Sequence, residues 1–553
     1  MRCGRRPVRF PRLRSRVLGF FSRAALGTKQ NKHHVNSEVN TDKMANPADS
    51  GDDLFESLRK QDPKAEEKAR LVAEREAAQN AKAQQRLMEL IASNSSLPVT
   101  VSSIRVIGLN HTRRSFLDRI FDPLLSANRD APYTLAEALQ EVGTAADKLR
   151  RFEIFHPSLH TFIDRPSPID PSSTPTDIDI YLKAEERSRI TLKTGTDLGN
   201  VEGSAYGNLT WRNIFGGAES LNLNASAGTR TRSAYQAIFE TPFLSDPDKR
   251  FTIDALQSST LKPWCSHEEA LKGMGLKYSW ATESGTRHQV GYTGVWRQIT
   301  GLAANASPTV RHDAGDSVKS SISHTWLSDQ RNHPFLPTKG YLLKTVSEIA
   351  GWGPLQGDIA FWKSELETSA ALAVPIPGIK GDSGVSLTGG FRAGMLYPLP
   401  VGFGSTSQPS RINDRFQLGG PTDVRGFKIS GLGPRDGPDA VGGDIYAAGS
   451  ANLLVPFPRV GKDSPLRLQF FANAGRLLAL RESGDQGSKS TQKSVYGTAA
   501  QLFDGAPSLA AGVGVVYAHP VARFEMNFSL PLILRRGEEG RKGLQFGVGI
   551  NFL

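Results

Sequence analysis

The chain has 553 residues, of which 38% are apolar and 22% are charged, and its mean hydropathy is −0.34. No uninterrupted apolar segment approaches the roughly 18 residues of a membrane-spanning helix, which excludes a helical membrane protein. The 67 Lys and Arg residues outnumber the 55 Asp and Glu residues, but much of the excess lies in the first forty positions. We therefore expect no nucleic-acid partner, because no basic stripe with interleaved aromatic residues occurs elsewhere. Cys3 and Cys265 lie too far apart to indicate a disulfide framework or a metal site, and we expect no cofactor.

The first 43 residues are rich in arginine and contain no acidic residue before Glu38. Such a segment resembles a mitochondrial transit peptide. Met44, however, is followed by a self-contained acidic opening, so we expect translation to start at Met44 and residues 1–43 to be no part of the mature protein. Residues 44–97 are predicted to form a charged helical or disordered arm, because their leucines are too sparse for a continuous apolar face.

Residues 98–186 predict one small α+β domain. A strand ends near Ile107 and is followed by helical stretches at 113–125 and 134–152, then by strands at 155–162 and 178–182. Thr134 and Glu137 have the spacing of a capping box, which marks the start of the second helix. The pattern occurs once in the chain.

From residue 187 to residue 553 the helical pattern disappears and apolar residues alternate with polar ones. Leu221 and Leu223, for example, face one way while Asn222 faces the other. Arg523 and Glu525 occupy alternate positions of a later segment. Charged residues on every second position would be costly in a dry core, whereas a water-filled lumen solvates them.

Sixteen such segments are predicted, and an even number suits a closed antiparallel barrel. They lie near 188–198, 203–212, 219–228, 234–242, 250–259, 272–281, 287–297, 317–327, 340–350, 358–373, 384–396, 442–456, 465–476, 508–518, 521–532 and 543–553. The sequence therefore predicts a transmembrane antiparallel β-barrel of 16 strands, preceded by the small domain.

The connection between the eleventh and twelfth strands, about 397–441, is far longer than the others, and loops of that length are usually functional or disordered. It contains a six-residue motif, Leu418, Gly419, Gly420, Arg425, Gly426 and Phe427. Arg-Gly-Phe alone is typical of an ordinary turn. Here it follows Leu-Gly-Gly and precedes Gly-Gly-Asp and the strand sequence ANLLVPFP. This combination resembles the signature of the outer-membrane protein insertase superfamily, over about residues 99–553.

The resemblance implies that the loop folds back into the barrel and that Arg425 packs against the thirteenth strand, at a Phe-x-Asp-x-Gly pattern. Phe471, Asn473 and Gly475 occupy that pattern in this chain. An Asn carbonyl accepts a guanidinium hydrogen bond without the charge-assisted contribution, so we expect a weaker contact than an ion pair. The Asn and the single soluble domain, which resembles a polypeptide-transport-associated domain, are similar to the mitochondrial branch of the family.

The last predicted strand carries a second signal. Gln545, Gly547, Ile550 and Phe552 match the mitochondrial barrel-sorting pattern of a polar residue, a glycine and two hydrophobic residues. Any terminal barrel strand alternates in this way, so the match indicates a barrel better than it indicates an insertase. The predicted lipid face of the strand consists of Leu544, Phe546, Val548, Ile550 and Phe552.

The resemblance implies a protein that inserts β-barrel precursors into the mitochondrial outer membrane, with its N-terminal domain in the intermembrane space. Its expected partners are β-barrel precursors, accessory subunits of a sorting and assembly complex, and membrane lipid. A strand cannot enter lipid with unpaired backbone groups, so a weak seam between the first and last strands would offer it a template edge. The residues expected at this lateral gate are Ile190, Leu192, Thr194, Gly543 and Gly549.

Other classes of protein share some of these features. A polypeptide-translocating pore of bacterial or plastid type differs mainly in carrying several soluble domains. A passive porin shares the alternation but needs neither the soluble domain nor the long loop. A barrel hydrolase needs a nucleophile with a base, and His288, His324 and His333 belong to no recognisable Ser or Asp constellation, so we expect no enzymatic activity.

Overall fold

The computed structural model describes residues 88–553 and a few helical positions between 75 and 86, with internal gaps at 131, 167–172, 199–202, 376–382, 458–460, 462–463, 481–487, 521 and 550–551. The predicted segment 1–43 and most of the predicted arm 44–97 lie outside the described residues. The chain divides into the units Met1–Met88 and Glu89–Leu553, so the small domain and the barrel belong to one unit. No helix in the described part of the chain is long and apolar enough to cross a membrane.

Four strands and two helices form the small domain. They are β1 (Pro98–Ile107), α1 (Arg114–Asp130), β2 (Tyr133–Thr134), α2 (Leu135–Arg151), β3 (His160–Asp164) and β4 (Asp177–Lys183). The sheet order is β2-β1-β4-β3, and β1 pairs with β4 in parallel. Both helices pack their apolar residues into one core with the central strands, where Leu149, Ile180 and Leu182 are fully buried.

Helix α2 begins where the sequence predicts. Thr134 Oγ1 accepts a hydrogen bond from the Glu137 backbone N–H at 3.3 Å, and Glu137 Oε2 accepts one from the Thr134 N–H at 2.9 Å. The strand predicted at 155–162 is displaced, because β3 begins at His160. Phe155 forms only an isolated bridge to Glu186, and its ring is buried in the core rather than on an alternating strand face.

The second part of the chain is a sheet of 16 antiparallel strands, which confirms the predicted barrel. The strands are β5 (Ile190–Leu198), β6 (Gly203–Arg212), β7 (Ser220–Gly228), β8 (Thr231–Pro242), β9 (Lys249–Lys262), β10 (His267–Ala281), β11 (Arg287–Thr300), β12 (Gly315–Asp329), β13 (Gly340–Ala350), β14 (Phe361–Ala373), β15 (Ser386–Pro398), β18 (Ile445–Pro456), β19 (Leu466–Leu478), β20 (Ser508–Ala518), β21 (Arg523–Ile533) and β22 (Gly543–Gly549). The short hairpin β16 (Arg435–Asp436) and β17 (Asp439–Ala440) lies in the loop between β15 and β18. Two helices, α3 (Pro308–His312) and α4 (Ser488–Phe503), lie in other connections.

The two faces of the barrel wall differ as the alternation predicts. Met274, Phe470 and Phe528 point outward and expose about half of their surface, whereas Gln469 and Asn527 point inward and are buried. In a membrane the outward apolar residues contact lipid. The polar interior can then hold charged and amide side chains that a lipid-facing surface would exclude.

Polar contacts hold the small domain against turns at the end of the barrel where β5 begins and β22 finishes. Arg113 pairs with Glu219 at 2.9 Å, and Arg151 pairs with Asp248 at 2.6 Å. Glu186, just ahead of β5, accepts hydrogen bonds from the backbone and hydroxyl of Thr112 and from the backbone of His111. Burial raises the pKa of Glu186 and these hydrogen bonds lower it by more, so the pKa lies below its ordinary value.

Candidate functional site in the barrel lumen

The long loop between β15 and β18 fills part of the barrel interior. Leu418, Val424 and Phe427 are buried in an apolar cluster with residues of the wall. The first part of the loop is anchored by Asp414, whose carboxylate accepts two hydrogen bonds from Arg297 of β11 at 2.7 and 3.0 Å. Both side chains are almost completely buried. The loop therefore lies inside the barrel, as the resemblance implies.

Two glycines make room for the loop. Gly426 has a φ of +87°, and a Cβ at this position would lie 2.6 Å from the Cβ of Ala510 on β20. A Cβ on Gly475 of β19 would approach Leu418 and Val424 of the loop to 3.1 Å. Both glycines are therefore explained by the same close contact between loop and wall. One belongs to the Arg-Gly-Phe motif and the other to the wall pattern, and a side chain at either position would crowd its neighbours.

Arg425 is completely buried, and all three of its guanidinium nitrogens donate hydrogen bonds. Its Nε and Nη2 donate to the two carboxylate oxygens of Glu525 on β21, at 2.8 and 3.1 Å. Its Nη1 donates to the Leu553 carbonyl at 3.1 Å and to the side-chain oxygens of Asn473 and Asn452 at 3.3 and 3.4 Å. The guanidinium also lies 5.2 Å from the centre of the Phe471 ring. Two of the predicted wall residues, Phe471 and Asn473, therefore contact Arg425, whereas Gly475 lies against other residues of the loop.

The strongest partner of Arg425, however, is not the one that the wall pattern indicates. The bidentate ion pair with Glu525 is charge-assisted and shorter than the contact with Asn473, so it accounts for most of the electrostatic stabilisation of Arg425. Alternation in the sequence places Glu525 inside the barrel, but no sequence signal connects it to a residue one hundred positions earlier.

A second arginine shares the same carboxylate. Arg523 Nη2 lies 2.6 Å from Glu525 Oε1, and Asn527 donates to Glu525 Oε2 at 2.7 Å. Arg523 also donates to the carbonyl of Phe335 at 3.2 Å. Because Phe335 belongs to the turn between β12 and β13, this turn reaches across the lumen to the strands near the chain end. Neither Arg523 nor Phe335 was among the predicted site residues.

The loop backbone also binds the polar residue of the last strand. The Gly426 N–H donates to Gln545 Oε1 at 2.9 Å, and Gln545 Nε2 donates to the Phe427 carbonyl at 3.2 Å. Ser529 Oγ donates to the same Oε1 at 3.0 Å. The Gln545 side chain is buried, and both the oxygen and the nitrogen of its amide form hydrogen bonds. The first residue of the sorting pattern is therefore bound by the Arg-Gly-Phe motif.

The end of the chain departs from the prediction. Leu544, Phe546 and Val548 face outward as predicted, but Phe552 does not belong to the lipid face. Its ring lies 5.1 Å from the Arg523 guanidinium and 5.8 Å from that of Arg425. The buried cations attract the ring, and the missing side chain of Gly547, whose Cβ would lie 3.0 Å from that ring, leaves room for it. Ile550 lies outside the described residues.

The predicted gate residues lie on the two strands that end the sheet. β5 and β22 are the terminal members of the strand order, and no pairing register joins them within the described residues. On β5, Ile190 and Leu192 each expose more than 60% of their surface, and Thr194 is also exposed. On β22, Gly543 has a φ of +114°, and Gly549 is the last residue of the strand. The structure thus places all five at the seam.

This arrangement can couple the loop to the seam. Arg425 holds the Leu553 carbonyl, and the Leu553 N–H donates to the Thr422 carbonyl of the loop at 3.4 Å. Phe552 and Leu553 are thereby held in the lumen. Among the described residues no group of three or more His, Cys, Asp or Glu side chains is placed to hold a metal ion.

Comparisons with known proteins agree with this architecture. A family model described as the Omp85 superfamily domain matches residues 213–552. A SAM50-like protein of Schizosaccharomyces pombe is 39% identical over 84% of this chain and 94% of its own length. The human sorting and assembly machinery component 50 homolog is 31% identical over 82% of this chain and 91% of its own length. A crystal structure of BamA from Haemophilus ducreyi lacking POTRA domains 1–3 is similar in fold, with a TM-score of 0.64 and 16% identity, over 82% of this chain and 84% of that one.

Proposed function

The chain belongs to the Omp85 superfamily, and from this premise we propose that it assembles other β-barrels at a lateral gate between β5 and β22. Its similarity to sorting and assembly machinery component 50 proteins over most of both chains confirms the resemblance found in the sequence. It is an outer-membrane β-barrel insertase, and we propose that it serves as the core subunit of a sorting and assembly complex. The gate, the orientation and the partners are the parts that we propose.

One observation supports the gate above all others. The sheet has two ends, β5 and β22, that share no register among the described residues, while every other neighbouring pair in the barrel is hydrogen-bonded. An unpaired strand edge inside a membrane is unfavourable, because lipid satisfies none of its backbone groups. A client strand that pairs with β5 satisfies them. The edge therefore provides both the driving force and the template for strand addition.

The contacts of the last strand suggest how the gate is kept available. Loop residues bind Gln545, and Arg425 binds the Leu553 carbonyl, so the end of the chain is held in the lumen. While the chain end is held in the lumen, it does not pair with the free edge of β5. In this proposal the loop keeps β22 from closing the barrel, and a client strand takes the free position beside β5.

We further propose a mitochondrial outer-membrane location, with the small domain in the intermembrane space. The relatives' names support the organelle. The domain contacts the end of the barrel where β5 begins, so it lies beside the entrance of the gate. Clients are β-barrel precursors, accessory subunits bind the same complex, and the chain acts by templating and not as an enzyme.

A disulfide across the seam tests the gate. In a variant without Cys3 and Cys265, Leu192→Cys and Val548→Cys place thiols on β5 and β22 near the same end of the barrel. We expect the oxidised or crosslinked protein in proteoliposomes to stop inserting a β-barrel precursor, and reduction to restore insertion. The matched control is Thr210→Cys with Asn222→Cys, a cross-strand pair within the ladder of β6 and β7. Insertion by the locked seam at the rate of this control would disprove the gate.

A further inference from the structure

We propose that the outer wall of β5 to β11 binds one anionic phospholipid, with an acyl chain in an apolar groove and the phosphate at Lys272. The groove has a volume of about 930 Å³. This lies near the upper end of the range of ~300–1,000 Å³ that is common for small-molecule sites.

The groove follows from the register of seven strands. Small residues form its floor, namely Gly207, Ala225, Ala237, Ala255 and Gly294. Cross-strand pairing places Leu209, Leu223 and Ala237 in one row that continues to Ala255, Met274 and Gly294. Leu223 and Met274 stand above this floor on either side, and both are exposed. A narrow apolar concavity of this kind fits a flexible hydrocarbon chain.

A polar end closes the groove one row further along. Lys272 pairs across strands with Gln257 on β9 and with Trp296 on β11. The Lys272 ammonium lies 5.2 Å from the centre of the Trp296 ring, and it forms no ion pair within the described residues. A lysine on a lipid-facing wall is unfavourable unless an anion or water reaches its ammonium. An anionic group at this end of the groove therefore stabilises the Lys272 ammonium more than water alone does.

The depth of Lys272 matches the level of lipid headgroups. Trp280, which faces outward eight positions further along β10, is the last residue but one of the strand. Eight residues of a tilted strand span ~20 Å of membrane height, close to the ~25 Å of an apolar barrel band between its aromatic girdles. Trp296 beside Lys272 and Trp280 thus mark the two interfaces, and the groove runs from one of them into the hydrocarbon.

A phospholipid satisfies both features in one molecule. Its phosphate meets the ammonium, and its chain fills the groove below. A second barrel packed here would have to present an acidic residue on its own lipid face, which is costly. Charge complementarity therefore favours the lipid.

The test measures lipid retained by the purified full-length protein in native mass spectrometry, using phosphatidylglycerol and phosphatidylcholine with identical acyl chains. We expect one tightly retained phosphatidylglycerol, and Lys272→Gln should weaken its binding about fivefold while leaving phosphatidylcholine unchanged. Ala237→Trp, which fills the groove, should abolish retention of both lipids. An unchanged gel shift on heating checks that each variant still forms the barrel.

Lys249→Gln is the matched control. Lys249 faces outward on the neighbouring strand, opposite Trp280, but pairs with Asp246 at 3.2 Å. We expect the Lys249→Gln variant to bind phosphatidylglycerol as tightly as the wild type does. Equal losses for Lys249→Gln and Lys272→Gln would show general attraction to anionic lipid and overturn the site, as would retention of phosphatidylglycerol by Ala237→Trp. A photocrosslinker at position 274, which lines the groove and leaves Lys272 in place, would also overturn it if it captured another protein barrel and no lipid.

Discussion

The core of the small domain is apolar, whereas the barrel interior combines an apolar cluster around the loop with a buried ion-pair network. Leu149, Ile180 and Leu182 fill the first, whereas Arg425 and Glu525 occupy the centre of the second. The small domain meets water on its outside, so its apolar residues are buried. The barrel wall meets lipid on its outside, so its polar residues turn inward and pair with each other.

This difference determines how substitutions lower the stability of each region. Removal of an apolar side chain from the small domain leaves a cavity, whose cost depends on its volume. Removal of one charge from the lumen leaves its buried partners with fewer compensating contacts, which is costly even though an intact buried pair contributes little net stability. Substitutions in the two regions should therefore differ in both size and consequence.

Arg425→Ala should have the largest effect. Within the described part of the chain it leaves Glu525 with Arg523 as its one ion-pair partner, and it removes the donor to the Leu553 carbonyl. We expect a loss of ~3–5 kcal/mol in the free energy of unfolding of the barrel. Thermal unfolding of the purified protein in detergent measures this loss, and insertion of a precursor into proteoliposomes measures the function.

Lys277→Ala is the control for Arg425→Ala. Lys277 pairs with Asp254 on the lumen wall, where its side chain keeps about a third of its surface exposed. Its loss should change stability by less than ~1 kcal/mol. If Arg425→Ala changes neither heat stability nor client insertion relative to this control, the loop has no anchoring role.

Leu182→Ala should destabilise the small domain by about 3 kcal/mol, because it opens a cavity beside Ile180 on β4. We expect limited proteolysis to cut the domain more rapidly, while the heat-induced gel shift of the barrel stays as in the wild type. Phe162→Ala, on the exposed edge strand β3, is the control and should change neither readout. A barrel that unfolds together with the domain would show that the two cores are not independent.

Gln545→Leu should have the smallest effect, about 1–2 kcal/mol, because it leaves the Gly426 N–H and the Phe427 carbonyl buried without partners. Thermal unfolding of the barrel measures it. Gln236→Leu, at a lumen amide that accepts one long hydrogen bond of 3.4 Å, is the control. Equal melting temperatures for the two variants would mean that the loop does not hold the last strand through this amide.

Much of the architecture could be predicted from local pattern. Alternation located all sixteen barrel strands to within a few residues, since strand faces repeat every two residues and the lumen and lipid select opposite side chains. The capping box located the start of α2. The displaced strand β3 shows the limit of this approach, because Phe155 has a strand-like sequence but packs into a core that only the folded domain creates.

The sequence by itself determined the barrel through its periodicity and the residues of the loop motif through their short spacings, while the resemblance to the insertase superfamily implied that the loop folds inward. Only the tertiary structure decided that Glu525 is the main partner of Arg425, that Gln545 binds the loop backbone, and that Phe552 turns into the lumen. The contacts of Glu525 and Gln545 with the loop join residues one hundred or more positions apart. Their geometry depends on how sixteen strands curve around one loop, and no local pattern records that curvature.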